Sequence, residues 1–322
     1  MRCMTFLSRL LVLALVLSAN SVFAQAWPTR PITIVVPFAP GGNIDIVGRT
    51  VGKELSQILK QPVIVENKPG AGGMVGATYV AKSKPDGYTF LVSSNGLVTT
   101  TLIRNDQQHK DEELVPVTLL TIAPSVIISN INNPAANLKE FINNIKASKD
   151  NRVVFATAGV GTTPHFVSAL VKIATDVDVE PIPYKSGSDT VTALVGGQVQ
   201  LAAESTQVVT PKIKAGMVKA LAVTYDQRSA SLPDVPTTKE LGYPSILITH
   251  FVGMMAPAGT PVSILEKMSQ ANQKALQSPE VKSVFNGAGT IIVGGSRASF
   301  AEYLQKERER LKVVVQDAKM TQ

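Results

Sequence analysis

The chain has 322 residues, with 31 lysines and arginines against 24 acidic residues, and its formal net charge is +7. The basic residues are scattered and aromatic residues make up only 5% of the sequence, which argues against nucleic-acid binding and indicates a mild preference for anionic ligands. One cysteine (Cys3) and three widely separated histidines offer no metal-ligand spacing, so no metal and no cofactor is predicted.

Residues 1–26 have the pattern of a secretory signal peptide. Arg2 and Arg9 precede an apolar run at 10–17, and the small residues that follow the run permit cleavage after Ala24 or Ala26. The run is too short to span a bilayer, and no later segment reaches the necessary length. We therefore expect an exported, periplasmic protein whose signal peptide is removed.

After this segment, short β-branched runs alternate with longer amphipathic stretches, a pattern typical of an α/β protein with largely parallel sheets. Strands are predicted at Ile32–Val36, Val63–Val65, Tyr88–Val92, Val117–Ser129, Val153–Ala156, Val199–Ala203 and Val218–Thr224. Helices are predicted at Ile44–Leu59, Met74–Ala81, Leu138–Ala147, Pro164–Ile173, Val191–Val195, Pro261–Leu276 and Ser299–Val315.

Three predicted strand-to-helix loops share one chemistry: Pro37–Asn43, Ser93–Gly96 and Ala158–His165 are rich in Gly, Ser, Thr or Asn. Such loops lie at the carboxyl ends of parallel strands, where open α/β sheets bind ligands. Their free N–H groups and the following helix dipoles favour an anion, so the loops can hold a carboxylate without Lys or Arg. Ordinary helix capping, with Thr163 as cap before Pro164, is the alternative.

Two enzymatic interpretations of these loops and histidines are alternatives to carboxylate binding. Gly159-Val160-Gly161 resembles part of a dinucleotide-binding fingerprint, but Pro164 occupies the place of the third glycine. An exported hydrolase that uses His165 or His250 as a base stays open, although the chain has no Gly-x-Ser-x-Gly elbow.

Ordered motifs run through nearly the whole chain after the signal segment. They include WPTRPI at 27–32, VPFAPGG at 36–42, VENKPGAGG at 65–73, PDGYT at 85–89, PDVPT at 233–237 and APAGTP at 256–261. With these motifs the chain resembles the Bug-type extracytoplasmic solute receptors of tripartite tricarboxylate transporters. It departs from that family at 109–114 and in the final helix, which lacks the usual tryptophan.

The resemblance implies a two-lobed periplasmic-binding-protein fold of type II-like α/β architecture, with a hinge of crossover strands near 118–128 and 220–224. One lobe would comprise 27–122 plus 225–322, and the other 123–224. The implied function is capture of a small organic acid and its delivery to an integral-membrane transporter, by a monomer with no enzymatic activity. Presentation of the ligand to a signalling partner is the alternative among binding proteins.

The resemblance also implies a ligand pocket between the lobes. The first lobe would contribute Phe38, Ala39, Gly42, Ser93, Ser94 and Asn95, and the second Gly159, Gly161, Thr162 and Thr163, with His165 nearby. Glu204 follows a predicted strand and is a further candidate, which would receive a ligand amine or repel a second ligand carboxylate. A solvated or hinge-bonded glutamate is the alternative for that position.

Overall fold

The computed structural model describes residues 27–104, 106–148 and 150–320, so the predicted signal peptide lies outside the described residues. The strands are β1 (Ile32–Val36), β2 (Val63–Asn67), β3 (Thr89–Ser93), β4 (Leu114–Asn130), β5 (Arg152–Thr157), β6 (Asp178–Pro183), β7 (Leu201–Ser205), β8 (Val218–Val223), β9 (Thr249–Pro257) and β10 (Ile291–Ile292). The helices are α1 (Asn43–Leu59), α2 (Met74–Ala81), α3 (Gly96–Ile103), α4 (Leu138–Ala147), α5 (Thr163–Thr175), α6 (Gly187–Val195), α7 (Thr206–Lys214), α8 (Val262–Leu276), α9 (Pro279–Gly287) and α10 (Arg297–Asp317).

Every predicted strand and helix is present, and most ends lie within three residues of the prediction. The largest shift is in α6, which begins at Gly187, four residues before the predicted start. Prediction missed α3, β6, α7, α9, β9 and the two-residue β10. Strand β9 has a buried residue at all but its first position, so it lacks the alternation that marks a half-exposed strand.

The strands form one mixed sheet in the order β2-β1-β3-β9-β4-β7-β5-β6, with β8 and β10 both paired to β4. Strand β1 runs parallel to β2 and β3, and β5 runs parallel to β6 and β7. Between these parallel groups, β4 is antiparallel to β9, β7 and β8. The sheet therefore consists of two parallel groups joined through a central antiparallel set.

Strand β4 joins the two groups and changes partners in its middle. Its first part, 114–124, pairs with β9, whereas Ser125–Ser129 pairs with β7 and Val126–Asn130 pairs with β8. Strands β9 and β8 thus meet β4 one after the other along its length. Thirteen of the 17 positions of β4 are buried and the other four are half-buried, as expected for a strand covered on both faces.

The carboxyl-terminal helix α10 covers the central strands. Phe300 is fully buried and packs edge-on against Phe251 of β9, with ring centroids 6.3 Å apart. Leu311 and Val315 belong to the same apolar cluster, which also contains residues of both parallel groups, such as Leu91 and Phe155. Among the described residues, no helix combines the length and apolar character that crossing a membrane requires.

Gly253 of β9 makes room for this packing, because a β-carbon there would overlap the Phe300 ring. We expect Gly253→Ala to lower the free energy of unfolding by about 1–3 kcal/mol through overpacking. Gly287→Ala in α9 is the matched control, since a β-carbon there meets no atom within 4 Å; it should be neutral or stabilising by about 0.4–1 kcal/mol. Urea titration checks both values, and equal effects would contradict the packing role.

Candidate functional site

One cavity lies where the two parallel groups of the sheet face each other. Its wall consists mainly of residues at the starts of four helices, α1, α3, α5 and α6. The lining residues are Phe38, Gly42, Asn43, Ile44, Asp45, Ser94, Asn95, Gly96, Ala158, Thr162, Thr163, Pro164, Gly187, Glu204 and His250. Both halves of the chain therefore contribute to a single cavity.

The four helix starts give this cavity its electrostatic character. Helix N-termini carry partial positive charge and present N–H groups that have no partner inside the helix. At α1 and α5 the capping residues are Gly42 and Thr162, and no side chain caps either first turn. None of the lining residues is a lysine or arginine. The cavity therefore suits an anion through backbone amides and dipoles rather than through a salt bridge.

Several buried polar atoms in the cavity wall lack hydrogen-bond partners within the described part of the chain. They are Asn43 Nδ2 and Oδ1, Ser94 Oγ, Asn95 Oδ1 and Glu204 Oε1. These four side chains are at most 8% exposed. Because an unsatisfied buried polar atom costs about 1–3 kcal/mol, their concentration around one cavity indicates a polar ligand site.

The first predicted loop, Pro37–Asn43, is held by a network around Asn67 at the end of β2. The Asn67 amide donates to the Phe38 carbonyl at 2.9 Å and to Asp45 Oδ1 at 2.8 Å. Asp45 also accepts from the Gly41 amide at 3.0 Å and pairs with Arg49 at 3.0 Å. This network fixes Gly41 at φ 87°, in the left-handed region that favours glycine.

The Asp45 carboxylate keeps its negative charge because of its partners in this network. Burial opposes its ionisation, but hydrogen bonds from Arg49, the Gly41 amide and Asn67 outweigh burial and lower the pKa of its carboxyl below the ordinary 3.8. A lowered pKa means that the network is intact above the unfolded-state pKa and is lost as the pH falls through the folded-state value. Asp45 therefore remains ionised at neutral pH, with Arg49 as its counter-charge.

The third predicted loop, Ala158–His165, is closed by its own side chains. Thr162 Oγ1 donates to the Gly159 carbonyl at 2.6 Å, and the Gly161 amide donates to His165 Nδ1 at 3.2 Å. Burial lowers the pKa of His165 to about 4, so its ring is neutral and accepts this bond. The cap of α5 is Thr162 rather than the expected Thr163, a difference of one residue.

The two sides of the cavity touch through glycines. A β-carbon at Gly72 would overlap the Val160 carbonyl oxygen, and one at Gly41 would lie 2.7 Å from Ser188 Oγ. Across the same gap, Thr99 Oγ1 of α3 donates to the Gly161 carbonyl at 2.5 Å. Backbone therefore approaches backbone directly, which side chains at these positions would prevent.

A second cavity, of about 510 Å³, adjoins the first and shares Phe38 and Ala158 with it. Its wall contains the Gly70–Gly73 turn together with Arg104 and Lys185. Arg104 is paired with Asp106 at 2.6 Å. Basic side chains thus lie in the wider cavity, whereas the inner cavity has none.

The hydrolase hypothesis rested on His165 and His250. His250 Nε2 lies 3.1 Å from Ser125 Oγ, a pair that sequence reasoning did not find. However, burial lowers the pKa of His250 to about 3, and Ser125 is fully buried and absent from the cavity wall. His165 is occupied with the Gly161 amide. Neither arrangement supplies an accessible nucleophile beside an effective base.

Seven of the predicted site residues line the inner cavity: Phe38, Gly42, Ser94, Asn95, Thr162, Thr163 and Glu204. Gly159 lines the wider cavity, and Ser93 lines a separate small one. Ala39, Gly161 and His165 belong to the loops that carry these residues. Whether each of the twelve contacts the ligand stays a prediction.

The largest omission from the predicted site is the start of α6. Gly187 lines the cavity, and Ser186 caps the helix by accepting from the Asp189 amide at 3.3 Å. The sequence signal was available, since Ser186-Gly187-Ser188-Asp189 has the composition of the other loops. It went unrecognised because the preceding strand β6 contains two prolines and was not predicted.

Comparison with known proteins gives consistent results. A family model described as "Tripartite tricarboxylate transporter family receptor" matches residues 47–320. Protein BugT of Bordetella pertussis is 34% identical over 302 residues, covering 93% of this chain and 92% of BugT. The solved periplasmic binding protein BugD has a TM-score of 0.88 at 31% identity, covering 92% of this chain and 99% of BugD. MatC from Rhodopseudomonas palustris, solved with bound malate, has a TM-score of 0.85 at 31% identity, covering 90% of this chain and 100% of MatC.

These likenesses confirm the predicted resemblance and the predicted fold class. The sheet with its antiparallel central strands is that of the Bug-type periplasmic binding proteins, two of which superpose over at least 90% of the chain.

The network around Asn67 yields a test of loop support. We expect Asn67→Ala to destabilise the protein by about 1–3 kcal/mol, because Asp45 and the Phe38 carbonyl lose a buried donor. Asn144→Ala, at an exposed position of α4, should change stability by less than about 0.5 kcal/mol. Thermal or urea unfolding measures both variants. If Asn67→Ala were as stable as the native protein, the network would not be what holds the loop.

Proposed function

The chain belongs to the tripartite tricarboxylate transporter receptor family, and on that premise we propose that it is a periplasmic receptor for a small organic acid. It captures the ligand as a carboxylate and delivers it to an integral-membrane transporter. The signal-peptide pattern at 1–26 supports export.

One observation carries this proposal: four helices begin at a cavity whose buried polar atoms lack partners and which has no basic side chain in its wall. A carboxylate offers two oxygens with several lone pairs and accepts well from amide, hydroxyl and backbone N–H donors. Malate in the related MatC structure is a ligand of this chemical class. A small carboxylic acid is therefore the ligand class that the cavity fits.

We further propose that the lobes follow the predicted boundaries, 27–122 with 225–322 and 123–224, and that they close on the ligand. The exchange of partners within β4 at 124–125 supports a hinge there. The predicted second crossover, 220–224, falls at the end of β8, which pairs with the second part of β4. The contacts of Gly41 and Gly72 across the cavity are those that opening would break.

The sensor alternative shares the same cavity and differs only in the partner, so the transporter is the partner that family membership favours. The hydrolase alternative is not supported, because His250 is a weak base and its neighbour Ser125 is inaccessible. A thermal-shift screen against organic acids, starting with malate, is the primary test of function. Sustained turnover of esters or amides, abolished by replacing His165 or His250, would overturn the receptor proposal.

Ligand binding should depend on Ser94. Ser94 lines the cavity, and its hydroxyl has no partner in the described residues. We therefore expect Ser94→Ala to lower the affinity for the acid found in the screen about ten- to hundredfold. This is the effect of losing about 1.5–3 kcal/mol from one hydrogen bond to a charged group. Thr121→Val is the control, since it removes a buried, unpartnered hydroxyl outside the cavity. Calorimetry decides, and unchanged affinity in Ser94→Ala would contradict the site.

Closure should depend on the glycine contacts. We expect Gly72→Ala to weaken ligand affinity at least tenfold and to reduce ligand-induced compaction in small-angle X-ray scattering, because its β-carbon meets Val160 across the gap. Gly216→Ala is a matched control: the φ angles are 66° and 67°, but a β-carbon at Gly216 meets no atom within 4 Å. Both variants should lose about 1–2 kcal/mol of stability through the left-handed backbone. Equal affinities would refute a closing role for this contact.

A further inference from the structure

We infer that Glu204 is a specificity-determining residue of this site, acting as a neutral carboxylic acid that donates a hydrogen bond to the ligand carboxylate. The receptor would then bind its anionic ligand together with one proton. This inference rests on the proposed function, because it concerns the same cavity and the same ligand class.

The position of Glu204 is the first reason. It lies near the end of β7, opposite Val126 of β4, and only 3% of its surface is exposed. Glu204 lines the cavity, and its Oε1 is buried without a partner among the described residues. The carboxyl group rests on Gly187 at the start of α6, where a β-carbon would lie 2.5 Å from its Cδ. Glycine at 187 thus makes the space in which this carboxyl sits.

The second reason is that no counter-charge faces Glu204. The charged wall residue Asp45 is already paired with Arg49, and His250 is neutral because burial lowers its pKa to about 3. Strand β4 has no titratable side chain. The remaining titratable groups on the elements packed around β7 are Arg152, His165, Lys172, Asp189, Lys212 and Lys214. None of them forms an ion pair with Glu204 in the described structure.

Burial without a counter-charge favours the neutral form. It raises the pKa of Glu204 to about 8, although the Ser205 amide and the Thr190 hydroxyl favour the ionised form. Opening of the cleft would hydrate this carboxyl and remove part of the desolvation that raises its pKa. Closure on an anion at neutral pH should therefore take up one proton.

The chemistry of an anionic ligand gives the third reason. An ionised Glu204 would repel a carboxylate in the same dry cavity, whereas a protonated one adds a donor to those of Asn43, Ser94 and the helix starts. Hydrogen bonds from a carboxylic acid to a carboxylate are short and strong. A ligand ammonium would instead require the ionised form and would displace a proton. Asp45, the other acidic residue of the wall, is already paired with Arg49, so the wall offers no second carboxylate to hold an ammonium.

The direction of the pH dependence follows from this. Glu204 is protonated below its closed-state pKa, so affinity for a carboxylate should be greatest there and should fall as the pH rises through that value. Over the pH range in which Glu204 is ionised in the open form and protonated in the liganded form, the affinity should fall by nearly tenfold per pH unit. An ammonium-bearing ligand would show the opposite dependence over the same range.

Calorimetry with malate in two buffers of different ionisation heat measures the proton count directly. The native protein should take up about one proton at pH 7 and should bind malate more weakly at pH 9. Glu204→Gln keeps an N–H donor of similar size, so we expect less than a tenfold loss at pH 7, no proton uptake and a flat pH profile. Glu204→Leu, without a donor, should lose more than tenfold. Glu112→Gln, at an exposed position, is the control and should behave as the native protein does.

The proposal would be overturned if Glu204→Gln lost as much affinity for malate as Glu204→Leu does. It would also be overturned if aspartate, the amino counterpart of malate, bound more tightly than malate and released a proton on binding. Infrared difference spectra of native protein minus Glu204→Gln, both saturated with malate at pH 7, report the protonation state of Glu204 in the liganded form. A protonated carboxyl band supports the proposal, and a carboxylate band alone overturns it. If malate fails to bind, the proposed ligand class is in question, and the same spectra with the acid that the thermal-shift screen identifies decide the state of Glu204.

Discussion

The convergence of helix starts on one cavity is the constraint on which the rest of this structure depends. Helices α1, α3, α5 and α6 all begin there, and each brings the positive end of its dipole. Such an arrangement is costly unless an anion or water offsets the positive potential. The α/β topology makes it possible, since parallel strands deliver successive helix starts to the same sheet edge.

Much of the surrounding structure holds these starts in place without adding positive charge. Arg49 is engaged with Asp45 and Asn67 and does not line the cavity. His165 supports the third loop as a neutral ring. Charges are thus used to fix loop geometry, and ligand recognition is left to amides and hydroxyls. Recognition by oriented neutral donors depends on distance and angle, which suits discrimination among small acids.

Glu204 is a carboxyl without a counter-charge in a wall that has no basic side chain, and its environment explains how it can serve there. Without a counter-charge it gains most by keeping its proton, and a protonated carboxyl is itself a donor. Gly187 leaves it room beside the start of α6. A group that would repel an anion in water can therefore recognise one in a closed cavity, provided that the proton is available.

The sequence by itself determined most of the strands and helices, the glycine-rich loops and the family resemblance, because periodicity, helix capping and turn chemistry are local properties. It also predicted seven of the residues that line the cavity, among them Ser94 and Thr162. Only the tertiary structure decided that β9 completes the central sheet, that Gly187 joins the site, that His250 meets Ser125 and that Glu204 has no counter-charge. These features depend on residues far apart in the chain, and burial and pairing at such distances are set by packing rather than by local pattern.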